Sequence, residues 1–169
     1  FNALLAKTTV RRSNLSDKEE VFAALQRQTS KERRCFDFFM EHKVSQDKLS
    51  YASLGPQAVS NLQEAGFDND TVVTTARSVA DILAEESGFV GMVVYSDPPD
   101  ISDLVQFRVR RSRRYKKYDL RDLLSVLGVR DGGGHEGAVG FRFAKKDVED
   151  FESCVSHVAG TIARELPEN

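Results

Sequence analysis

Three consecutive glycines and a histidine, Gly132, Gly133, Gly134 and His135, stand together in one short segment. Each glycine costs conformational entropy on folding and offers no side chain to pack, so three in a row need a physical reason. Successive backbone amides without side chains can form an anion-binding concavity, and the histidine beside them can donate a hydrogen bond. The pattern favours an anion-binding loop, with a flexible surface turn as the alternative.

A strongly cationic segment precedes the glycines. Residues 108–117 contain seven basic side chains and no acidic one, and five of the seven are arginine. The planar guanidinium binds phosphate with two parallel hydrogen bonds, so this choice favours phosphate binding over general solubility, the alternative being a charged edge strand. Tyr115 and Tyr118 lie among the charges and could stack on bases, with ordinary packing as the alternative. The further candidates for nucleic-acid contacts are Arg108, Arg113, Arg114, Lys116 and Lys117.

The composition of the whole chain limits what this cationic segment can mean. The 169 residues carry 24 basic and 26 acidic side chains, a net charge of −2, and 40% of the residues are hydrophobic. Such a chain can fill a core, which excludes a disordered protein. It also excludes a protein that coats nucleic acid over its whole surface, but it permits one focused phosphate site.

The rest of the sequence offers no catalytic or metal-binding constellation. The segment Asp68-Asn69-Asp70 is best explained as a helix N-cap. Cys154 and His157 are three positions apart on one predicted helix, which favours packing over a nucleophile with its base. With Cys35, Cys154 makes two cysteines without metal-ligand spacing, so we expect two reduced thiols. The three histidines are isolated from one another: His42, His135 and His157.

Strands and short helices must position the glycine and cationic segments. Alternating hydrophobic residues predict a strand over 104–110 with a basic outer face, and a continuous apolar run predicts a buried strand over 89–95. Further patterns predict a short strand over 140–143 and helices over 56–66, 70–88, 119–128 and 148–162. The first third reads as helices joined by turns, two of them beginning near Ser16 and Ser30. We therefore expect an α/β fold with a small mixed β-sheet flanked by helices and preceded by a helical connector.

At this point the residues resemble a known family. Leu104 to Ser112 (Leu-Val-Gln-Phe-Arg-Val-Arg-Arg-Ser), a helix from Asp119, and Gly132 to Gly140 (Gly-Gly-Gly-His-Glu-Gly-Ala-Val-Gly) are similar to the C-terminal DHH-associated domain of the Asp-His-His (DHH) family phosphoesterases. The family includes oligoribonucleases, cyclic-dinucleotide phosphodiesterases and single-strand exonucleases. The resemblance covers residues 68–145.

The resemblance implies a substrate-binding domain of a metal-dependent hydrolase. Gly132, Gly133, Gly134 and His135 would bind the phosphate or terminal nucleotide. A substrate-facing arginine would be Arg111, followed by Ser112, by identity with the family's Arg-Ser pair, or Arg110 by strand alternation. Hydrolysis would belong to a missing domain that holds two manganese ions. This chain lacks the Asp-His-His tripeptide, so we expect no catalytic residue, metal ligand or cofactor in it.

Two residues depart from the family pattern. Asp131 stands where a fourth glycine is common, and its carboxylate would repel a phosphate if it pointed inward. Val139 replaces the usual alanine or serine, so we expect a narrower space around the glycines.

Domain organisation and partners follow from this interpretation. Residues 1–66 would form a helical connector or extension and residues 67–169 the α/β substrate-binding domain. The opening at Phe1 reads as the middle of a helix, as in a fragment of a longer protein. The partners would be a phosphate-containing substrate, a short oligonucleotide or a cyclic dinucleotide, with no membrane, in the cytoplasm. RNA and DNA stay alternatives, because a glycine loop does not read bases.

Two further interpretations compete with a domain that binds a small substrate. The first is a non-catalytic module that binds single-stranded nucleic acid. The second is a homodimer formed through exposed Phe36, Phe38 and Phe39.

Overall fold

The computed structural model describes residues 15–168, with five α-helices and six β-strands in this range. The helices are α1 (Leu15–Glu41), α2 (Pro56–Glu64), α3 (Asn69–Ser87), α4 (Arg121–Val126) and α5 (Phe151–Glu165). The strands are β1 (Lys43–Gln46), β2 (Leu49–Leu54), β3 (Val90–Ser96), β4 (Leu104–Arg111), β5 (Gly132–His135) and β6 (Ala138–Ala144).

The six strands form one mixed sheet in the order β1-β2-β3-β4-β6-β5. Strands β2 and β3 are parallel, and every other neighbouring pair is antiparallel. One face of the sheet packs on α5 around Phe107, Phe141 and Val158, and the other packs on α1, α2 and α3 around Val93 and Leu83. The expected α/β class, with a mixed sheet flanked by helices, is confirmed.

Helix α3 lies directly on the centre of the sheet because Gly91 of β3 has no side chain. A Cβ at Gly91 would lie 2.4 Å from the carbonyl oxygen of Ala80, so only glycine allows this approach. The Asp68 carboxylate accepts a hydrogen bond from the Thr71 backbone N–H at 2.7 Å, which confirms the predicted N-cap. Gly88 ends the helix with a left-handed backbone, φ +78°.

The first third of the chain differs from the expectation. The two helices predicted from Ser16 and Ser30 are one continuous helix, α1. Residues 43–46 and 49–54 are strands of the main sheet, so the expected helical connector over 1–66 is wrong for them. The sequence pattern missed β2 because it is short, contains two serines and is buried on both faces, so it does not alternate. The division of the chain at residue 66 stays a prediction, and the helix expected at Phe1 lies outside the described residues.

The phenylalanines of α1 are less exposed than expected. Phe39 is fully buried, and Phe36 and Phe38 pack at the margin of the same core. The phenylalanine side chains on which the homodimer interpretation was based are therefore mostly buried. The homodimer itself stays a prediction. Within residues 15–168, no helix is long and apolar enough to cross a membrane.

Candidate functional site

The glycine segment is an edge strand, so the expected loop is wrong. Gly132 to His135 form β5, which is joined to β6 by a two-residue turn, Glu136–Gly137. Two of its glycines are required by close contacts within this hairpin. A Cβ at Gly132 would lie 2.7 Å from Phe141 Cβ, and one at Gly134, where φ is +146°, would lie 2.2 Å from the Ala138 carbonyl oxygen. At Gly133, in contrast, a Cβ would have no neighbour within 4 Å.

Two cross-strand rows on one face of the sheet bring the glycine strand next to the arginines. Arg108 pairs with Gly140, which pairs with Gly133. Because directly paired residues project to the same side, these three share a face. The neighbouring row is Arg110, Ala138 and His135. We call this surface the open face; its members are Arg108, Arg110, Gly133, His135, Ala138 and Gly140.

The open face has small residues in its middle and cations along one side. Gly133 and His135 are exposed and Arg108 and Arg110 are half-buried. In the described part of the chain, α3 packs on β3 and β4, whereas the short α4 contacts β5 and β6. The buried Leu123 of α4 belongs to the core on the opposite face. A ligand can therefore approach the backbone of β5 and β6 from the side of the open face.

His135 is prepared to donate a hydrogen bond outward. Its Nδ1 atom accepts a hydrogen bond from the Gly137 backbone N–H at 3.2 Å. An acceptor nitrogen carries no proton, so in the neutral ring the proton is on Nε2. The exposed Nε2–H can then donate to a phosphate oxygen.

The backbone of β5 adds donors at the edge of the sheet. The Arg142 N–H donates to the Asp131 carbonyl oxygen at 3.0 Å, so this pair is a hydrogen-bonded pair of the antiparallel ladder. Hydrogen-bonded and non-hydrogen-bonded pairs alternate along such a ladder. The N–H groups of Gly132 and Gly134 therefore point away from β6, toward the open edge.

Both candidate arginines lie beside this strand. The Arg110 Nε atom is 3.7 Å from Asp81 Oδ1 of α3. Arg111 Nη1 donates to the Tyr118 carbonyl oxygen at 2.7 Å. Arg111 also lines a cavity of about 470 Å³ together with Arg113, Asp81 and Glu85. The structure thus places both alternatives at the site, with Arg110 on the open face and Arg111 at the end of β4.

Ser112 faces the protein. Its side chain is 1% exposed, and its hydroxyl donates to Glu85 Oε2 at 3.1 Å. Glu85 Oε1 accepts from the Arg113 backbone N–H at 2.7 Å. That bond, with the Ser112 hydroxyl and the nearby cations Arg114 and Arg113, lowers the pKa of the Glu85 carboxyl. Ser112 therefore holds the end of β4 against α3, and its expected contact with a substrate stays a prediction.

The other candidate residues of the cationic segment lie partly in β4 and partly in an exposed loop after it. The side chain of Arg108 is half-buried, and its Nε donates to the Tyr95 hydroxyl at 3.2 Å.

Tyr115 is fully buried and its hydroxyl donates to the Pro167 carbonyl oxygen at 2.6 Å, so the packing alternative is correct for it. Burial raises the pKa of Tyr118 to about 12. The exposed basic residues of the loop after β4 are Arg113, Arg114, Lys116 and Lys117.

The two departures from the family pattern have small consequences. The Asp131 carboxylate lies 3.1 Å from Arg142 Nη1, so a cation balances its charge. Val139 is buried in the core on the face opposite to His135, so the expected narrowing around the glycines is wrong.

The sequence interpretation missed four residues of the site. Gly140 and Ala138 form its middle, and Asp81 and Arg142 adjust its charge. The signal for the first two is the alternation of small residues with Val139 and Phe141 along β6.

Metal-binding groups do not gather in the part of the chain that the structure describes. Among residues 15–168, no three His, Cys, Asp or Glu side chains are placed so that they could hold a metal ion. The residues described here therefore do not fit the manganese ions that the resemblance implies. Cys35 and Cys154 are free thiols, and burial raises the pKa of both.

Comparison with known proteins finds similarity of structure but not of sequence. No family model and no curated protein matches the sequence. The DHH domain of a protein described as a member of a ribosomal-protein family aligns with 92% of this chain and 36% of its own, at TM-score 0.56 and 15% identity. The exonuclease RecJ bound to manganese aligns over 90% and 32%, at TM-score 0.54 and 16% identity. PggH from Vibrio cholerae, a pGpG-specific phosphodiesterase, aligns over 89% and 44%, at TM-score 0.51 and 13% identity.

The likeness to these structures is a likeness of fold. This chain has the fold found in DHH-domain structures, so the fold that the resemblance implied is confirmed. The chain spans less than half of the length of each of these three proteins.

Proposed function

We propose that this chain is the substrate-binding domain of a DHH-type, metal-dependent phosphoesterase and holds the phosphate or terminal nucleotide of its substrate. The observation that carries the proposal is the open face. Two cross-strand rows place Arg108 and Arg110 on one side of a strip of small residues, with His135 and the β5 edge on the other. The fold shared with RecJ and PggH supports a hydrolase as the parent protein.

The chemistry of the open face suits a phosphate group. The arginines supply charge, the Nε2–H of His135 supplies a directed hydrogen bond, and the outward N–H groups of β5 supply neutral donors. Gly133 and Gly140 bear no side chain, so the ligand can approach the backbone closely. Arg111, at the end of β4, can add a second guanidinium.

The catalytic step is assigned to another domain of the parent protein. That domain would hold the manganese ions, which activate water. Closure of a cleft over the open face would expel water and strengthen the ionic contacts made by Arg108 and Arg110 and the hydrogen bond made by His135. The present chain would bind and orient the substrate without hydrolysing it.

Titration of the chain with short phosphorylated ligands tests this proposal. We expect 5′-phosphorylated dinucleotides or cyclic dinucleotides to bind, and His135→Ala to weaken binding by about tenfold, the value of one charge-assisted hydrogen bond. The matched control is His157→Ala, an exposed histidine of α5, which should bind as the wild type does. Equal affinities in both variants, or phosphodiester turnover by this chain with added manganese, would contradict the proposal.

A single-stranded nucleic-acid binding module is the second candidate, favoured by the exposed loop of Arg113, Arg114, Lys116 and Lys117. If this loop tracks a strand, affinity should rise with oligonucleotide length. The logarithm of the binding constant should also fall with the logarithm of salt concentration, with a slope of about −0.7 per phosphate contacted. An affinity that no longer rises beyond two or three nucleotides favours the small-substrate function.

A further inference from the structure

A second cavity lies at the other end of the central strands. It has a volume of about 330 Å³ and is lined by Pro56 and Val59 of α2, by Ser96, Asp97 and Pro98 after β3, and by Lys145, among others. Strands β2 and β3 are parallel, and the cavity opens at their carboxyl ends. In open α/β sheets, ligands bind in the crevice at this position.

Two buried polar residues line this cavity, and one of them, Asp97, has a carboxylate oxygen with unused hydrogen-bonding capacity. Ser96 is 1% exposed, and it pairs with Val105, which belongs to the core on the α5 face of the sheet, so its side chain projects to that face. Asp97 is 7% exposed. Its Oδ2 accepts from Ser102 Oγ at 2.7 Å and from Gln106 Nε2 at 2.9 Å, whereas no described residue donates to Oδ1. A ligand with N–H donors could therefore bind Asp97 Oδ1 from the cavity.

A cation and a helix N-terminus border the same cavity. Lys145 Nζ donates to the carbonyl oxygens of Asp97 and Ser102, which leaves one of its three N–H bonds unused. Within residues 15–168 no carboxylate lies within 4.0 Å of this ammonium group. Helix α2 begins at Pro56, has no side-chain N-cap and no acidic residue in its first turn. Both features favour an anionic group of a ligand.

From these contacts we infer that the cavity binds a small zwitterion of the α-amino-acid type. The ligand's ammonium group donates to Asp97 Oδ1, and its carboxylate accepts from Lys145 Nζ near the N-terminus of α2. A short apolar side chain packs on Val59 and the neighbouring prolines. One carboxylate and one ammonium line the cavity, so a ligand with one charge of each sign matches it. A phosphate would face Asp97, and a neutral nucleobase would leave Lys145 without an anionic partner.

This cavity is separate from the open face. Arg110 pairs with Gly91 near the start of β3, whereas Asp97 follows the end of that strand. Six residues of extended chain place the two about 20 Å apart. The inference therefore does not depend on the proposed phosphate site.

Titration of the isotopically labelled chain with L-valine, L-leucine and the other L-amino acids tests the inference by NMR. We expect one or more apolar amino acids to shift the backbone amide signals of Val59, Ser96, Asp97 and Lys145, and to leave those of Gly133 and His135 unchanged. For L-valine, the matched analogues are isobutylamine, which lacks the carboxylate, and 3-methylbutanoate, which lacks the ammonium group. Each should bind about tenfold more weakly or worse, because it loses one charge-assisted contact.

Variants at the cavity complete the test. Asp97→Asn and Lys145→Met should each weaken amino-acid binding by about tenfold, whereas Lys146→Met, at the exposed neighbouring position, should not. Asp97→Asn keeps a side-chain oxygen that can accept from Ser102 and Gln106, so it carries the test if Lys145→Met does not fold. The inference is overturned if no amino acid shifts these signals. It is equally overturned if adenosine, guanosine or inorganic phosphate shifts them instead, or if the two cavity variants bind as the wild type does.

Discussion

The guanidinium group of Arg111 and the ring of His135 meet at Gly137, in the turn between β5 and β6. A Cβ at Gly137 would lie 3.6 Å from His135 Cε1 and 3.9 Å from Arg111 Nη2. The Arg111 backbone N–H also donates to the Gly137 carbonyl oxygen at 3.0 Å. The end of the cationic strand and the end of the glycine strand are thus tied to one turn. A phosphate placed there can contact a guanidinium and an imidazole together.

The three glycines of β5 should respond differently to alanine. Gly133→Ala should change the free energy of unfolding by less than about 1 kcal/mol, because its Cβ meets no atom of the chain. It should weaken nucleotide binding by about tenfold, because the methyl group occupies the open face where the ligand approaches the backbone. Urea unfolding and a binding titration measure the two effects.

Gly132→Ala is the matched comparison for that variant. Its Cβ would lie 2.7 Å from Phe141 Cβ, so we expect a loss of stability of about 1–3 kcal/mol. Gly134→Ala should cost more, because its backbone has φ +146° as well as a close contact. If Gly133→Ala destabilised the chain as much as Gly132→Ala while binding stayed normal, Gly133 would serve the hairpin and not a ligand.

Local signals explain which parts of the fold could be predicted from sequence. Alternation over β4 and the cap and stop residues of α3 are encoded within each element, and both elements were predicted to within a residue or two. Strand β2 was missed because burial on both faces removes the alternation. The glycine segment was assigned to a loop because its strand character comes from pairing with β6, which the composition of the segment alone does not reveal.

The charge of the site could be predicted only in part, because acidic residues that are distant in sequence contribute to it. Residues 108–117 contain no acidic residue, yet in the fold Asp81 approaches Arg110 and Glu85 binds Ser112 and Arg113. These two acids are four positions apart on α3, next to the buried Ala80 and Ala84 that place the helix on the sheet. The packing of α3 therefore brings both carboxylates to the cationic strand.

Removal of the Asp81 charge should strengthen phosphate binding. The Arg110 guanidinium forms an ion pair with the Asp81 carboxylate at 3.7 Å. An ion pair near the surface contributes little to stability. In Asp81→Asn we expect nucleotide affinity to rise about two- to fivefold at low salt, and the gain to shrink at about 0.5 M salt through screening. Asp100→Asn, which removes an equal charge beyond the far end of β3, is the control. An equal gain in both variants would show that net charge, not the Asp81–Arg110 pair, sets the affinity.

Glu85 should make the stability of the chain depend on pH in the acidic range. Its two carboxylate oxygens accept from the Arg113 N–H and the Ser112 hydroxyl, and these contacts lower its pKa below the usual value of 4.5. A carboxyl group whose pKa is lowered by folding adds stability above its unfolded pKa, and this contribution is lost as the pH falls through the folded pKa. Glu85→Gln should therefore destabilise the chain at pH 7, by less than about 1 kcal/mol because solvent screens the exposed group.

The difference in unfolding free energy between wild type and Glu85→Gln should shrink as the pH falls below 4.5 and through the lowered pKa of the wild-type carboxyl, because that carboxyl then becomes protonated. Urea unfolding at a series of pH values measures it, with Glu64→Gln, at the exposed end of α2, as the control for the loss of one negative charge. If the difference stayed constant over this range, the ionised form of Glu85 would not hold Ser112 and Arg113 in place.

Nucleotide binding by Glu85→Gln tests whether the same contact also supports the candidate phosphate site. Loosening of Ser112 should weaken binding even though a negative charge has been removed, the reverse of the Asp81→Asn result.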